Sequence, residues 1–392
     1  MCSVYWRVPV YLAVLLSVLQ NISLRGGRML VSLSALAAGA TPFQVGVLAA
    51  MFAALPLVLA VYAGRVSDRI GVVRPIVGGA LTMAVGLLTP LAWPGYGGLL
   101  AAAALVGLGQ IFFHVSIHNL IGAFGDGEAR TRNFATFSLG ASIAAFIGPS
   151  LAGFSIDKAG FAATSGLLAA IVVVPAAMLL ARPSIVPEGA RAPKEKPSGS
   201  SRDLLREPGL VRTLVMSGVT LTGIELFSFY FPVYGRSIDL SATAIGLVMS
   251  SYAVAAFIVR LGMPRATRAW TELGVLTASL FMAGVTYMLV PLVSSALLLA
   301  GVAFLLGIGL GCAQPLTILL TYNHAPPGRS GEALGLRLTV NKLTQIAVPL
   351  AFGALGSAFG LFPVFFANGA FLLAGGAASW LEQRARRRRR AS

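Results

Sequence analysis

The stretch Gly64-Arg65-Val66-Ser67-Asp68-Arg69-Ile70-Gly71-Val72-Val73-Arg74-Pro75 sets four charges and two glycines within twelve positions. On either side the charge disappears: no Asp, Glu, Lys or Arg occurs from Val45 to Ala63 or from Ile76 to Trp93. Crossing a hydrocarbon core takes roughly 20 apolar residues, so the stretch reads as a short polar loop joining two membrane-crossing helices. The rest of the chain repeats this alternation. Of 392 residues, 57% are hydrophobic and 11% charged, with a mean hydropathy of +0.84, a composition that would aggregate in water. Twelve apolar runs bounded by charges or Gly/Pro turns are centred near residues 23, 54, 84, 109, 145, 171, 223, 253, 281, 308, 345 and 371. They leave no room for a soluble catalytic domain. The two cysteines, Cys2 and Cys312, supply neither a disulfide framework nor a thiolate metal cluster. No phosphate-binding loop occurs, which argues against ATP as the energy source. The apolar run from Val8 is too long for a cleavable signal core.

The one long polar stretch starts at Arg182 and carries Pro183, Pro187, Pro193, Pro197 and Ser198-Gly199-Ser200-Ser201, the composition of a flexible linker. The expected organisation is an N-terminal six-helix bundle over 1–182, a linker over 183–208, a C-terminal six-helix bundle over 209–383 and a basic tail over 384–392. Lysine and arginine favour cytoplasmic loops. With the N-terminus inside, all but six of the 29 basic residues fall on the cytoplasmic side, the exceptions being Lys158, Arg236, Arg25, Arg28, Arg337 and Lys342. Both termini are therefore expected in the cytoplasm. The net charge of +16 then needs no nucleic-acid partner, since the arginine tail serves as a topology anchor on anionic lipid.

The halves repeat at an offset of 200 residues. Gly46 meets Gly246, Arg65 meets Arg265, Gly107 and Gly109 meet Gly307 and Gly309, Pro149 meets Pro349, Gly153 meets Gly353, and Gly160 meets Gly360. One constant offset that keeps the punctuation of four helix pairs in step implies duplication, and duplicated bundles place a transport site between them.

In this twelve-segment setting the loop from Gly64 to Pro75 resembles the signature loop of the major facilitator superfamily. The resemblance implies an all-α integral membrane fold of twelve helices in two pseudo-symmetric bundles. It also implies a gating latch of Gly64, Asp68, Arg69, Gly71 and Arg74, with Arg337 a candidate partner of Asp68. Gly64 would permit close helix approach, and Gly71 a tight turn. Val72 and Val73 depart from the basic residues common there, and the counterpart Pro264 to Arg268 lacks the glycine and aspartate. Segment five, with Gly148-Pro149 and Gly153, is similar to a degenerate antiporter signature. That implies export, while the plainer reading is a kinked helix with a small-residue packing face. Segment four lacks the arginine that exporters of the family carry.

A charge at mid-bilayer costs on the order of 3 kcal/mol or more, so each one inside a helix needs a wet cavity or a partner. The family's helices one, four, seven and ten line the central cavity. Segment one carries Asn21, Arg25 and Arg28 on one face; segment four carries Gln110, His114 and His118 at four-residue steps. Segment seven holds Glu225, the only acidic residue deep inside a helix, followed by Phe227, Phe229, Tyr230, Phe231 and Tyr234. Gln314 lies beside Pro315 in segment ten, and Arg337, Asn341 and Gln345 form a stripe on segment eleven with Lys342 next to it. Asn21, Arg25, Arg28, Gln110, His114, His118, Glu225, Tyr230, Gln314, Asn341 and Gln345 are the candidate substrate-binding residues.

By the repeat, Arg25 and Glu225 are equivalents facing each other. A carboxylate placed between desolvation, which favours its protonated form, and an arginine, which favours its charged form, is suited to carry a coupling proton. A permanent ion pair holding the bundles together is the plainer alternative. His114 is the second candidate for proton coupling. A histidine pair without an acidic or thiolate third ligand does not suggest a metal. The donor surplus points to an anionic substrate with an apolar part. The expectation is a monomeric, multi-pass, proton-coupled transporter of the bacterial inner membrane that moves a small organic anion. It would use the proton gradient and no cofactor, and export is favoured over proton symport of a nutrient carboxylate. A membrane-embedded enzyme and a non-transporting sensor are the readings from other classes.

Overall fold

The computed structural model describes residues 7–123, 127–181, 201–326 and 329–391, which are all-helical with no strand. The helices are α1 (Arg7–Ala37), α2 (Pro42–Ile70), α3 (Val73–Ala92), α4 (Tyr96–Ala123), α5 (Gly127–Ala181) and the short α6 (Ser201–Leu204). There follow α7 (Pro208–Ser237), α8 (Ala242–Trp270), α9 (Glu272–Leu289), α10 (Ala296–Gly311), α11 (Ala313–His324), α12 (Ser330–Phe359) and α13 (Leu361–Ala391). Eleven stretches are long and apolar enough to cross a membrane. One of them, α5, reverses at Gly160, whose φ of 80° and ψ of 176° is open only to glycine without strain. Two of the twelve expected segments, those near 145 and 171, are its two legs.

In lipid the first N–H groups of a helix must find partners within the protein. At α2 the Thr41 hydroxyl accepts from Gln44 N at 3.3 Å while Gln44 Oε1 accepts from Thr41 N at 2.8 Å, a reciprocal cap followed by Pro42 at the first helical position. Ser241 caps α8 through Ala244 N at 3.1 Å. The segment expected near 308 is split into α10 and α11 at Cys312. Pro315 has no N–H to offer the Gly311 carbonyl one turn back, and Arg260 Nε of α8 donates to that carbonyl at 2.8 Å instead.

The 200-residue repeat recurs in the packing. A Cβ built on Gly46 would lie 2.3 Å from Pro349 O, and one on Gly246 would lie 2.4 Å from Pro149 O. Gly107 abuts Phe52 O as Gly307 abuts Tyr252 O. In each pair both partners shift by the same offset, so α2 meets α12 as α8 meets α5. The outward surface carries large exposed apolar side chains, among them Val58 at 74%, Leu297 at 82% and Phe359 at 72%, as a lipid-facing belt requires.

Candidate functional site

At the face that holds the Thr41, Gly160, Ser241 and Gly360 turns, the helices are tied together. Phe43 N donates to Ser357 Oγ at 2.9 Å, joining α2 to α12. Asp157 of α5 accepts from Ala242 N at 3.1 Å and Thr243 N at 2.7 Å, the free donors at the start of α8. Deeper in, Ser150 and Ser250 share a hydrogen bond at 2.6 Å, and Ser250 donates to Phe146 O at 2.6 Å. At the opposite face no hydrogen bond joins α2 to α12 or α4 to α11 among the described residues. Arg25 and His114 are exposed on helices that are otherwise well packed.

Glu225 is buried, with 4% of its surface exposed. Its Oε1 accepts from Gln345 Nε2 at 2.8 Å, and Gln345 Oε1 accepts from Lys342 Nζ at 2.9 Å. Its Oε2 lies 3.6 Å from Arg28 Nη1. The Arg28 guanidinium also lies over the rings of Phe229 and Phe52, 5.3 and 5.7 Å from their centroids, where cation–π attraction supports a charge withdrawn from water. Three helices, α1, α7 and α12, thus converge on one carboxylate.

The ion-pair partner of Glu225 is Arg28, where the repeat had pointed to Arg25. Side chains lean toward the start of their helix, and an arginine reaches further than a glutamate. The arginine that meets Glu225 at its depth therefore starts about one turn later than the symmetry-equivalent position. Among the described residues Arg25 makes no hydrogen bond or ion pair, and it is exposed. It lies within Coulombic range of Arg28, Arg260, Tyr252 and Glu225.

The His114 and His118 rings lie with centroids 4.1 Å apart and planes tilted by 43°. His118 Nδ1 is 2.7 Å from His114 O. A carbonyl only accepts, so Nδ1 carries the proton. Gln110 Oε1 is buried without a partner, and Asn21 bonds within its own helix to Ser17 O at 2.9 Å. Asn341 Oδ1 accepts from Ser217 at 2.9 Å, tying α12 to α7 rather than facing a ligand.

Two candidates lie elsewhere. Tyr230 is fully buried, and its hydroxyl donates to Pro349 O at 2.6 Å and lies 3.2 Å from Pro42 O. It belongs to the sealed face, because the face of α7 that carries it turns toward the α2–α12 crossing. Arg337 is 4% exposed and donates to Gln314 Oε1 at 2.6 Å and Thr317 Oγ1 at 2.9 Å. Among the described residues its partners lie on α11, a tie between α11 and α12; the expected partner Asp68 falls near the end of α2, with its side chain outside the described residues. Gln314 is thereby engaged as a partner of Arg337, its Nε2 remaining unpaired.

Of the latch residues, Gly71 takes φ 80°, ψ 170° at the end of α2, Arg69 and Arg74 are exposed, and the Asp68 side chain lies outside the described residues. A Cβ on Gly64 would meet nothing within 4 Å, so no helix approaches it closely here. Gly148 does serve packing: a Cβ there would lie 2.9 Å from Ile22 O and 3.0 Å from Arg25 Cβ, which accounts for the small residue without reference to export. Sequence reasoning passed over Arg260, which it sorted with the cytoplasmic arginines. It lies inside α8 and bonds Gly311 O and, at 3.1 Å, Ser142 Oγ of α5. Pro315, four residues after the carbonyl it leaves free, was the available signal. Phe52 was also missed, and nothing local to its sequence marks it. No group of three or more metal-ligating residues occurs among the described residues.

The fold has solved counterparts. A POT family transporter in complex with a thioalcohol-conjugated peptide superposes with a TM-score of 0.80 at 14% identity, covering 96% of each chain. A peptide transporter POT in complex with sulfate gives 0.78 at 16% identity over 96% of this chain and 94% of that one. A bacterial homologue of the human lysosomal transporter Spinster, solved inward-facing and unoccupied, gives 0.78 at 15% identity over 98% of both. No curated protein matches the sequence. The sequence model of the Major Facilitator Superfamily matches residues 10–349 and 213–392. A helical membrane chain whose polar residues converge between crossing helices, and whose sequence matches that model along its length, belongs to the Major Facilitator Superfamily and is a transporter, not an enzyme.

Proposed function

We propose that the chain is a proton-coupled secondary transporter that moves a small organic anion across the bacterial inner membrane by alternating access. Its working parts are two pseudo-symmetric six-helix bundles, residues 1–182 and 209–383, joined by the cytoplasmic linker 183–208 and ending in the basic tail 384–392. It works as a monomer, with both termini cytoplasmic and the proton gradient as its energy source. The sealed Thr41 face is then the outer one and the space holding Arg25 opens to the cytoplasm, as in the inward-facing Spinster homologue.

One observation carries the reading: the single carboxylate deep in a helix, Glu225, is paired across the bundle interface with Arg28 at 3.6 Å. Two bundles that rock apart must remake this contact, and a proton on Glu225 removes the carboxylate charge and leaves Arg28 to be matched by a substrate anion. The proton state is thereby linked to bundle position, and an anion that reaches Arg28 competes with Glu225 for it.

Export is the direction favoured by the Gly148-Pro149 signature. The geometry of the pair favours a second reading. An anion gains Arg28 most readily when Glu225 is protonated, so proton and substrate bind together, as in a symporter that imports a carboxylate. Proteoliposomes with an imposed pH gradient test both. Gradient-driven flux is expected in the wild type and lost in Glu225→Gln; flux toward the acidic side indicates antiport, and flux toward the alkaline side symport. Gradient-driven flux that persists in Glu225→Gln removes Glu225 from the coupling role.

A further inference from the structure

A groove of about 440 Å³ opens where α8 ends, α9 begins and α13 ends, with Trp270, Thr271, Gly274, Phe281, Trp380 and Gln383 in its wall. The apolar spans reach their ends here, at Trp270, Glu272 and Leu381, so the groove lies at the edge of the hydrocarbon, on the face opposite the Thr41 turns. Trp270 is 65% exposed and Trp380 47%; tryptophan settles at that edge because its ring is apolar while its N–H seeks a polar partner. The upper wall is polar and fixed. Gln383 Nε2 donates to Leu273 O at 2.8 Å and Thr277 Oγ1 at 2.6 Å, and the Thr271 hydroxyl accepts from Gly274 N at 3.3 Å. From Thr271 the wall follows α9 to the exposed Phe281, about 15 Å into the apolar belt at 1.5 Å per residue.

The rim is basic. Arg265 and Arg268 near the end of α8 and Arg384 of α13 are exposed, the Arg384 guanidinium lies 5.5 Å from the Trp380 ring centroid, and α13 continues as helix past the arginines at 386–390. Glu272 is the only acidic side chain described on these three helices. The fold does not require this arrangement. At the 200-residue offset the first bundle builds the same corner with Asp68 for Arg268, Ile70 for Trp270, Gly71 for Thr271, Leu81 for Phe281 and Leu180 for Trp380. Gly71 at φ 80°, ψ 170° and Thr271 at φ 68°, ψ 158° share one backbone conformation. That region is natural only to glycine, yet the second bundle keeps a side chain there.

We infer that this groove seats one anionic phospholipid of the cytoplasmic leaflet, its headgroup at the Arg268 and Arg384 rim and an acyl chain along the face of α9 that ends at Phe281. Charge and shape together select that occupant. A free phosphate gains nothing from the apolar wall, and a zwitterionic lipid brings no net charge to the arginines, whereas an anionic lipid answers both. The stretch from Pro264 to Arg268, which lacks the glycine and aspartate of its first-bundle counterpart, thereby serves lipid rather than a latch. The inference stands on the membrane spans and not on substrate or coupling; only the leaflet is taken from the orientation proposed above.

Native mass spectrometry of the purified full-length protein, titrated with dioleoyl phosphatidylglycerol, dioleoyl phosphatidylcholine and glycerol phosphate, tests the inference. One phosphatidylglycerol is expected to bind at least tenfold more tightly than phosphatidylcholine. Its affinity should fall at least tenfold in Arg268→Asp and in Trp270→Ile combined with Trp380→Leu, changes that copy the first bundle and so suit the fold. Arg384→Gln, at an exposed position, should weaken it at least threefold and gives a reading even if the other variants do not fold. Equal binding of the two lipids overturns the inference, and glycerol phosphate binding as tightly as phosphatidylglycerol overturns it in favour of a bare phosphate site. Tight binding that is unchanged in the groove variants but lost when Arg386 to Arg390 are replaced by glutamine overturns it in favour of the tail. Gradient-driven flux and its dependence on Glu225 are read separately, so failure here leaves the transport reading intact.

Discussion

Replacing Gly46 or Gly246 by alanine should unseal the Thr41 face, and the size of the effect follows from the geometry. A Cβ on Gly46 falls 2.3 Å from Pro349 O and 2.6 Å from the Tyr230 hydroxyl, and one on Gly246 falls 2.4 Å from Pro149 O. Real Cβ atoms essentially never come within 3.0 Å of a neighbour, so α2 must retreat from α12 by at least 0.7 Å, and α8 from α5 by at least 0.6 Å, the differences between 3.0 Å and those contacts. The obstacles are backbone carbonyls, which cannot rotate aside as a side-chain tip would. Overpacking of this kind costs about 1–3 kcal/mol, and here only the conformation with this face sealed bears the cost. At about 1.4 kcal/mol per tenfold, the ratio of sealed to unsealed molecules should fall by about 5- to 140-fold. Spin labels at the exposed Ala38 and Ala358, read by pulsed dipolar spectroscopy, should move from a short-distance population to a longer one. Gly301→Ala is the control, since its Cβ would meet nothing within 4 Å. Wild-type distance distributions in both Gly46→Ala and Gly246→Ala would refute the claim that these two crossings seal the face.

Further expectations follow from single contacts. Asp157→Ala strips two backbone donors at the start of α8 of their acceptor and should cost the sealed state about 0.5–2 kcal/mol, read with the same spin labels, whereas an unchanged distribution would assign Asp157 a passive role. Tyr230→Phe removes a buried donor to Pro349 O and should lower thermal stability by about 1 kcal/mol with no change in substrate affinity, and a weakened affinity would return Tyr230 to the binding site. Arg28→Gln leaves the Glu225 carboxylate buried without its cation, which should destabilise the protein by about 3–5 kcal/mol. Arg28→Gln combined with Glu225→Gln should recover most of that loss in a thermal melt, and no recovery in the double variant would mean that the pair is not the source of the cost.

Much of the architecture was legible because hydropathy and bilayer thickness act locally along the chain. A segment such as Ile76 to Trp93 declares its length and environment without reference to any neighbour, and each of the twelve expected centres falls inside a helix. The constant 200-residue offset between Gly46 and Gly246, or Pro149 and Pro349, marked the very positions where helices cross most closely, because close approach excludes a side chain wherever it occurs. The site was legible only as a set of residues. Periodicity placed Arg25, Arg28, His114 and Glu225 on inward faces, but it did not say which arginine reaches the carboxylate.

By itself, then, the sequence determined that this is a membrane protein of repeated helices with a few ionisable groups inside, since composition and spacing alone decide what lipid will tolerate. The tertiary structure alone decided the pairings. Arg28 meets Glu225 because side-chain reach displaces contacts by a turn from backbone equivalence. Tyr230 joins the sealed face, and Arg337 turns to Gln314, because helix rotation selects one neighbour among several on the same face. Arg260 counts as a residue of the interior because Pro315, on a different helix, leaves a carbonyl that only a long cation from α8 is placed to satisfy.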